Sequence, residues 1–325
     1  MKRKIKVKFV DYYKKFDPEN SFIMECLRRK YDIEYSEQPD YLFFSSFGLE
    51  NLDYRDCIKI FYSGENHFPD FNLCDYAMGF EWIDVGDRYF HIPTFYQTVY
   101  KSSFEKMVER TKFTGDDLKK KEGFCSFVYS NAEAAPIRYE LFKTLSTYKQ
   151  VASGGRFMNN IGGPCDSKID FERKYKFSIA VENVAYPGYT TEKLMQAFAA
   201  DTIPIYWGDP EVTKIFNPKA FIHVRDYDSI DAVLNKVKEL DQDNEKYLQM
   251  MMENPLIDKN YNRENMLSAA SDFLYHVIDQ DLEQAKRFSR ICWNKFYTDQ
   301  AIERRNAKKL QDRNIINRLK RKIGK

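Results

Sequence analysis

The sequence predicts an α/β protein of two domains in tandem. Three observations carry that expectation. The length of 325 residues exceeds that of a usual single domain. Strand-like and helix-like apolar runs alternate in both halves of the chain. Between the halves, residues 112–123 (KFTGDDLKKKEG) form a polar stretch with two glycines, which reads as a linker.

In chain order, residues 4–10 alternate apolar and charged side chains as a half-buried strand does. Residues 22–30 carry apolar groups at helical spacing, and 41–45 return to strand character. Residues 58–62 (IKIFY) and 76–80 are further strands, which completes a first α/β domain over 1–115. The second domain, over 116–282, reads as a strand at 124–129 and then a helix at 134–148. Pro136 falls in the first turn of that helix, where a missing N–H costs nothing. A strand at 177–181, a helix at 191–200 and a strand at 203–207 follow. Paired domains of this kind place the expected active site in a cleft at the carboxyl ends of parallel strands.

Composition narrows the function classes. The six cysteines have no CxxC or metal-like spacing and are expected as reduced thiols, and the four histidines form no helical pair, so metal chemistry has little support. No run approaches about 20 apolar residues, and the opening MKRKIKVKFV lacks a signal-peptide core, so the expected location is cytoplasmic. Residues 284–325 hold 14 Lys/Arg against 3 Asp/Glu, a net +11, while the remainder of the chain is −9. A basic tail (283–325) on an acidic body points to an anionic surface and away from specific nucleic-acid binding. In LQDRNIINRLKRKIGK, Ile315 or Ile316, Leu319 and Ile323 recur at three- and four-residue spacing. That spacing predicts an amphipathic helix lying peripherally on the inner membrane face, with a solvated tail or non-specific nucleic-acid binding as the alternatives.

The chemistry concentrates in FSIAVENVAYPGYTTEKLMQAF. The strand delivers Glu182 and Asn183 at its carboxyl edge, a Gly/Pro loop turns the chain, and Thr190 or Thr191 caps the next helix. Lys193 in the first turn opposes the helix dipole unless an anion is present, and a diphosphate at the helix mouth would be that anion. Glu192 would then accept hydrogen bonds from ribose hydroxyls, and Tyr189 would donate to a phosphate oxygen. A plainer reading has Glu192 complementing the dipole and Lys193 solvated. The P-loop and GxGxxG patterns are both missing, which disfavours ordinary ATPase or dinucleotide chemistry.

Residues 177–221, with ENVAYPGYTTEK, TIPIYWGDPEV and FNPKAFI, resemble the donor-binding signature of the α1,3/α1,4-fucosyltransferase family, especially its bacterial members. SGENHFPDFNLCDYAMGF (63–80) and SNAEAAPIR (130–138) resemble two further loops of that family. The resemblance implies a GT-B fold of two facing Rossmann-like domains, the first for acceptor and the second for GDP-fucose. By motif, Tyr189, Glu192 and Lys193 are similar to the donor-contacting residues, Asn183 fits the EN pair, and Arg138 resembles the arginine on the diphosphate. Arg138 and Lys193 would neutralise the departing GDP, so that no cofactor is required and divalent metal is at most stimulatory. Glu65, in SGEN after a strand, matches the general base that would deprotonate the acceptor hydroxyl. His67 is a weaker candidate for that role, and Asp11 reads more simply as a polar strand end. The expected reaction is an inverting transfer of L-fucose from GDP-fucose to an N-acetyllactosamine-type glycan, giving Lewis X type products in surface polysaccharide such as lipopolysaccharide. Other nucleotide-sugar transfer and non-catalytic glycan binding are the alternatives.

Overall fold

The computed structural model describes residues 2–110 and 113–323, with side chains through residue 310. Contacts divide the chain into two compact units. One comprises Met1–Gly79, Ile83–His91 and Ala269–Lys325, and the other comprises Phe80–Trp82 and Ile92–Ser268. This division differs from breaks at 115 and 282, and large apolar side chains account for it. Phe95 meets Phe216 at 5.2 Å, and Phe104 and Met107 of the helix Lys101–Glu109 are buried, so residues 92–110 belong with the second unit. The expected linker contains a helix, Gly115–Lys119, started by a capping box between Thr114 and Asp117. The polar side chains that suggested a linker are the ones that begin this helix.

The first unit is built on one parallel sheet of β1 (Arg3–Val10), β2 (Tyr31–Tyr35), β3 (Tyr41–Phe44), β4 (Ile58–Tyr62), β5 (Tyr76–Gly79) and β6 (Tyr89–His91), in the order β2-β1-β3-β4-β5-β6. The interior strands β3, β4 and β5 are buried along their whole length, as parallel strands covered on both faces are. Lys59 of β4 is therefore buried too, and its Nζ donates to the Asn51 carbonyl at 2.7 Å. Strand β2 was not anticipated. It begins soon after the helix Phe22–Arg28 and pairs only with β1, and its acidic residues weaken the apolar signal. Residues from 269 onward return to this unit. Tyr41 donates to the Ile278 carbonyl at 2.9 Å, and the fully buried Asp75 accepts from Arg290 Nη2 at 2.8 Å.

The second unit holds a parallel sheet of β7 (Gly123–Phe127), β8 (Val151–Ser153), β9 (Tyr175–Val181), β10 (Ile203–Trp207) and β11 (Ile222–His223), ordered β11-β10-β9-β7-β8. Phe127, Phe177, Ile179, Ile203 and Ile205 fill its core. The chain steps from β7 to β8 on one side and then lays β9, β10 and β11 on the other. The strand order thus reverses between β7 and β9, and in open parallel sheets the crevice at the carboxyl ends of such a pair is where ligands bind. The helix Ile137–Ser146 follows β7, and the helix Glu192–Ala199 follows β9. The former is shorter at both ends than the sequence suggested, with Pro136 at its N-cap.

A helix spans Cys292–Ile323. The spacing of Ile315, Ile316, Leu319 and Ile323 lies outside the residues whose side chains are described. Among the described residues, no helix is long and apolar enough to cross a membrane.

Candidate functional site at the carboxyl ends of β7 and β9

Strand β9 ends where Val181 pairs with Trp207, and the next residue, Glu182, is fully buried. Its carboxylate accepts from the Thr191 amide at 2.8 Å, from the Thr191 hydroxyl at 2.7 Å and from Lys193 Nζ at 2.9 Å. Glu192 lies 3.7 Å from the same ammonium. The anion that makes a lysine acceptable in a first helical turn is therefore already supplied by the chain. Burial works to lower the Lys193 pKa, but Glu182 and Glu192 outweigh it and hold the group well above the usual lysine value. Burial likewise pushes Glu192 up, and Lys193 and Lys168 more than reverse it, leaving the carboxyl below its usual range. Thr191 stands at the N-cap, but its hydroxyl bonds Glu182 and no helix amide, which corrects the expectation of a side-chain cap.

The intervening loop depends on a glycine. Gly188 has φ +83°, and a Cβ there would lie 2.1 Å from the Phe80 carbonyl oxygen. Its amide donates to Asp209 Oδ1 at 2.8 Å, and the Thr190 hydroxyl donates to Asp209 Oδ2 at 2.9 Å. Burial pushes the Asp209 carboxyl up, against the pull of these donors. Tyr189 is buried with its ring centre 5.0 Å from that of Phe80.

Arg138 sits in the first turn of the helix Ile137–Ser146 and is 2% exposed. Its Nη2 donates to the Val181 carbonyl at 2.9 Å and to Asn183 Oδ1 at 2.8 Å, and the guanidinium lies 4.0 Å from the centre of the Tyr129 ring. Burial pushes the Tyr129 hydroxyl up, against the attraction of both Arg138 and Lys193, so one buried ring senses both cations. Asn183 is exposed beside them.

The structure thus brings Arg138, Asn183, Thr191, Glu192 and Lys193 to the reversal point of one sheet, with Tyr189 in the adjoining loop. Glu65 belongs to the first unit. It is exposed after β4, with its amide held by Ser63 Oγ at 3.1 Å. His67 is exposed nearby, with its ring centre 5.8 Å from that of Phe61. Asp11, at φ 60°, ties down another loop by accepting from the Glu50 and Asn51 amides, each at 2.8 Å. Sequence reasoning placed Glu182 in this cluster without giving it a role, and left Tyr129 and Asp209 out. For Asp209 the available signal was an acidic residue after the glycine that follows an apolar strand. A cavity of about 580 Å³ opens at the opposite edge of the second sheet, lined by Glu122, Lys174 and Asp201 among others. Those residues precede β7, β9 and β10, so this cavity lies away from the carboxyl-end cluster.

Comparison with known proteins gives consistent matches. The model of the Alpha-(1,3)-fucosyltransferase FucT N-terminal domain matches residues 7–100, and that of Glycosyltransferase family 10 (fucosyltransferase) C-term matches residues 118–263. An Alpha-(1,3)-fucosyltransferase FucT of Helicobacter pylori is 34% identical over 273 residues, which is 73% of this chain and 56% of the relative. A 3-galactosyl-N-acetylglucosaminide 4-alpha-L-fucosyltransferase of Bos taurus is 33% identical over 135 residues, 41% of this chain and 36% of the relative. The chain spans about half the length, or less, of the curated relatives it matches. A crystal structure of an alpha1,3-fucosyltransferase superposes with TM-score 0.75 at 31% identity, covering 86% of this chain and 91% of the other. One described as holding GDP-fucose superposes with TM-score 0.74 at 29% identity, covering 86% and 92%.

Proposed function

The chain belongs to glycosyltransferase family 10, the fucosyltransferases, and from that we propose that it transfers L-fucose from GDP-β-L-fucose, with inversion, to O3 of GlcNAc in an N-acetyllactosamine-type glycan. The observation that carries this reading is the convergence of Arg138 and Lys193 at the carboxyl ends of β7 and β9, held there by Asn183 and Glu182. A diphosphate is the ligand such a pair of cations beside two helix starts suits.

In this reading Glu65 is the general base. Its carboxylate takes the proton from the acceptor hydroxyl as that oxygen forms a bond to the anomeric carbon of fucose. On the opposite face the bond from that carbon to the diphosphate oxygen breaks, and GDP leaves with the bonding electrons. Arg138 and Lys193 neutralise the charge that grows on the leaving oxygen, and no divalent metal is essential to the step. Tyr189 and Glu192 orient the donor. The product is a Lewis X type glycan of the cell surface.

Donor assays with GDP-fucose, GDP-mannose and UDP-galactose against type 1 and type 2 disaccharides, followed by linkage analysis, test donor and regiochemistry together. Transfer from GDP-fucose to O3 of the type 2 acceptor is expected. A product linked at O4, or a preference for another donor, overturns that part of the reading. Glu65→Ala should bind GDP like the parent and transfer no fucose, and parental turnover would remove Glu65 as the base.

We further propose that the C-terminal region holds the enzyme at an anionic membrane surface. Residues 284–325 carry a net +11, and the helix Cys292–Ile323 opens with the exposed Trp293, Phe296 and Tyr297 grouped together, ring centres 5.6 to 6.3 Å apart. Aromatic rings beside basic residues favour the headgroup region. Sedimentation with anionic vesicles should fall on deleting residues 300–325, and undiminished binding would end the idea.

A further inference from the structure

We propose that Glu182 is a counter-charge in the donor pocket: by neutralising Lys193 it limits the grip on the guanosine diphosphate product and so lets that product leave. The inference rests on the donor reading above and extends it to a residue with no assigned part in the reaction. Glu182 is fully buried, its Oε2 lies 2.9 Å from Lys193 Nζ, and its remaining contacts go to the Thr191 amide and hydroxyl at the start of the helix Glu192–Ala199. The carboxylate therefore occupies the position of the anion that Lys193 and the helix start would otherwise attract. It is also fixed there. Its hydrogen bonds hold it, and Gly208 packs so closely against it that a Cβ there would lie 2.4 Å from Glu182 Cγ.

Two consequences follow for a leaving diphosphate. The ion pair keeps Lys193 protonated and in one place while the leaving oxygen gains charge. The same carboxylate then repels the finished product, whose full charge it faces once fucose has gone. Glu182 acts through Lys193 and does not touch the reacting atoms, so it is a positioning residue.

GDP affinity, measured by calorimetry on the full chain, separates this role from a structural one. Glu182→Gln preserves the acceptor for the Thr191 amide but removes the charge, and should tighten GDP binding by about fivefold or more while slowing turnover at saturating donor. Glu182→Asp should restore parental affinity. A structural role predicts weaker binding for Glu182→Gln, so unchanged or weakened affinity in the folded variant overturns the proposal. If Glu182→Gln does not fold, Lys193→Met and the double variant Glu182→Gln, Lys193→Met decide the matter. The double should bind GDP more tightly than Lys193→Met, in which the carboxylate is unpaired, and no gain overturns the proposal. Failure of the parent to bind GDP at all would instead remove the donor reading on which it stands.

Discussion

The guanidinium of Arg138 lies 4.0 Å from the centre of the Tyr129 ring, and the Tyr129 hydroxyl donates to the Ile179 carbonyl at 2.8 Å while accepting from the Val181 amide at 2.6 Å. One tyrosine thus ties the exit of β7 to the end of β9 and provides the surface on which the arginine is laid flat. Lysine has neither the planar group for this stacking nor the geometry for two simultaneous bonds to Val181 and Asn183. Arg138→Lys is expected to lower kcat/KM for GDP-fucose by about 100-fold. Tyr129→Phe keeps the ring and should cost about 1–2 kcal/mol of stability in urea unfolding, with a much smaller loss of activity.

Gly188 is a second point where a small change should have a large effect. Alanine there would have to hold φ near +83° with its Cβ 2.1 Å from the Phe80 carbonyl oxygen, so the loop must move. The Asp209 bonds to Gly188 and Thr190 would go with it. Gly188→Ala is expected to lose about 2 kcal/mol or more and to raise the GDP-fucose KM, read from melting curves and steady-state kinetics.

Lys59 makes a pH-dependent prediction. Burial pulls its pKa from 10.5 to about 8, helped by Arg290 and opposed by Cys57 and Asp75. The unfolded chain keeps this proton up to the ordinary lysine value, whereas the folded chain releases it near pH 8. Between those values the unfolded state binds more protons, so this group makes stability rise with pH. Below about 8 the burial penalty is fully present. Lys59→Met should flatten the slope of unfolding free energy between pH 8 and 10 by up to about 1.4 kcal/mol per pH unit. Urea titrations of parent and variant at pH 8.0 and 9.5 check this, and parallel slopes would refute it.

Asp75 fastens the C-terminal segment to the first sheet. It is fully buried and accepts from the Arg287 amide, the Lys59 amide and both terminal nitrogens of Arg290, at 2.8 to 3.1 Å. Asp75→Ala leaves Arg290 half-buried without that partner and should cost about 3–5 kcal/mol. Trypsin cleavage after Arg287 and Arg290 should become faster, as followed by limited proteolysis.

Much of the framework was legible because local periodicity reports it. The opening strand, with Ile5 and Val7 alternating against lysines, and the helix following Thr191 both lie where their patterns predict. What escaped notice was short or polar. Strands β6 and β8 have three residues each, too few to show a period, and the helix Gly115–Lys119 was concealed by its own capping residues. The candidate site was half visible. The Thr-Glu-Lys run stood out with Glu182 near it, whereas the pairing of Glu182 with Lys193 did not show.

The sequence by itself determined the longer strands and helices in their order, the αβ alternation of both halves, and the signature of a sugar-nucleotide family around residues 177–221. Each of these is written in neighbouring residues, through side-chain period and residue type. Tertiary structure decided that the chain from Ala269 onward belongs to the first unit, that Lys59 is buried, and that Lys193 finds its anion in Glu182, 11 positions earlier. Those outcomes depend on which groups the closed loops bring within a few ångströms of each other. Hydropathy along a chain shows that a face will be covered but not what will cover it.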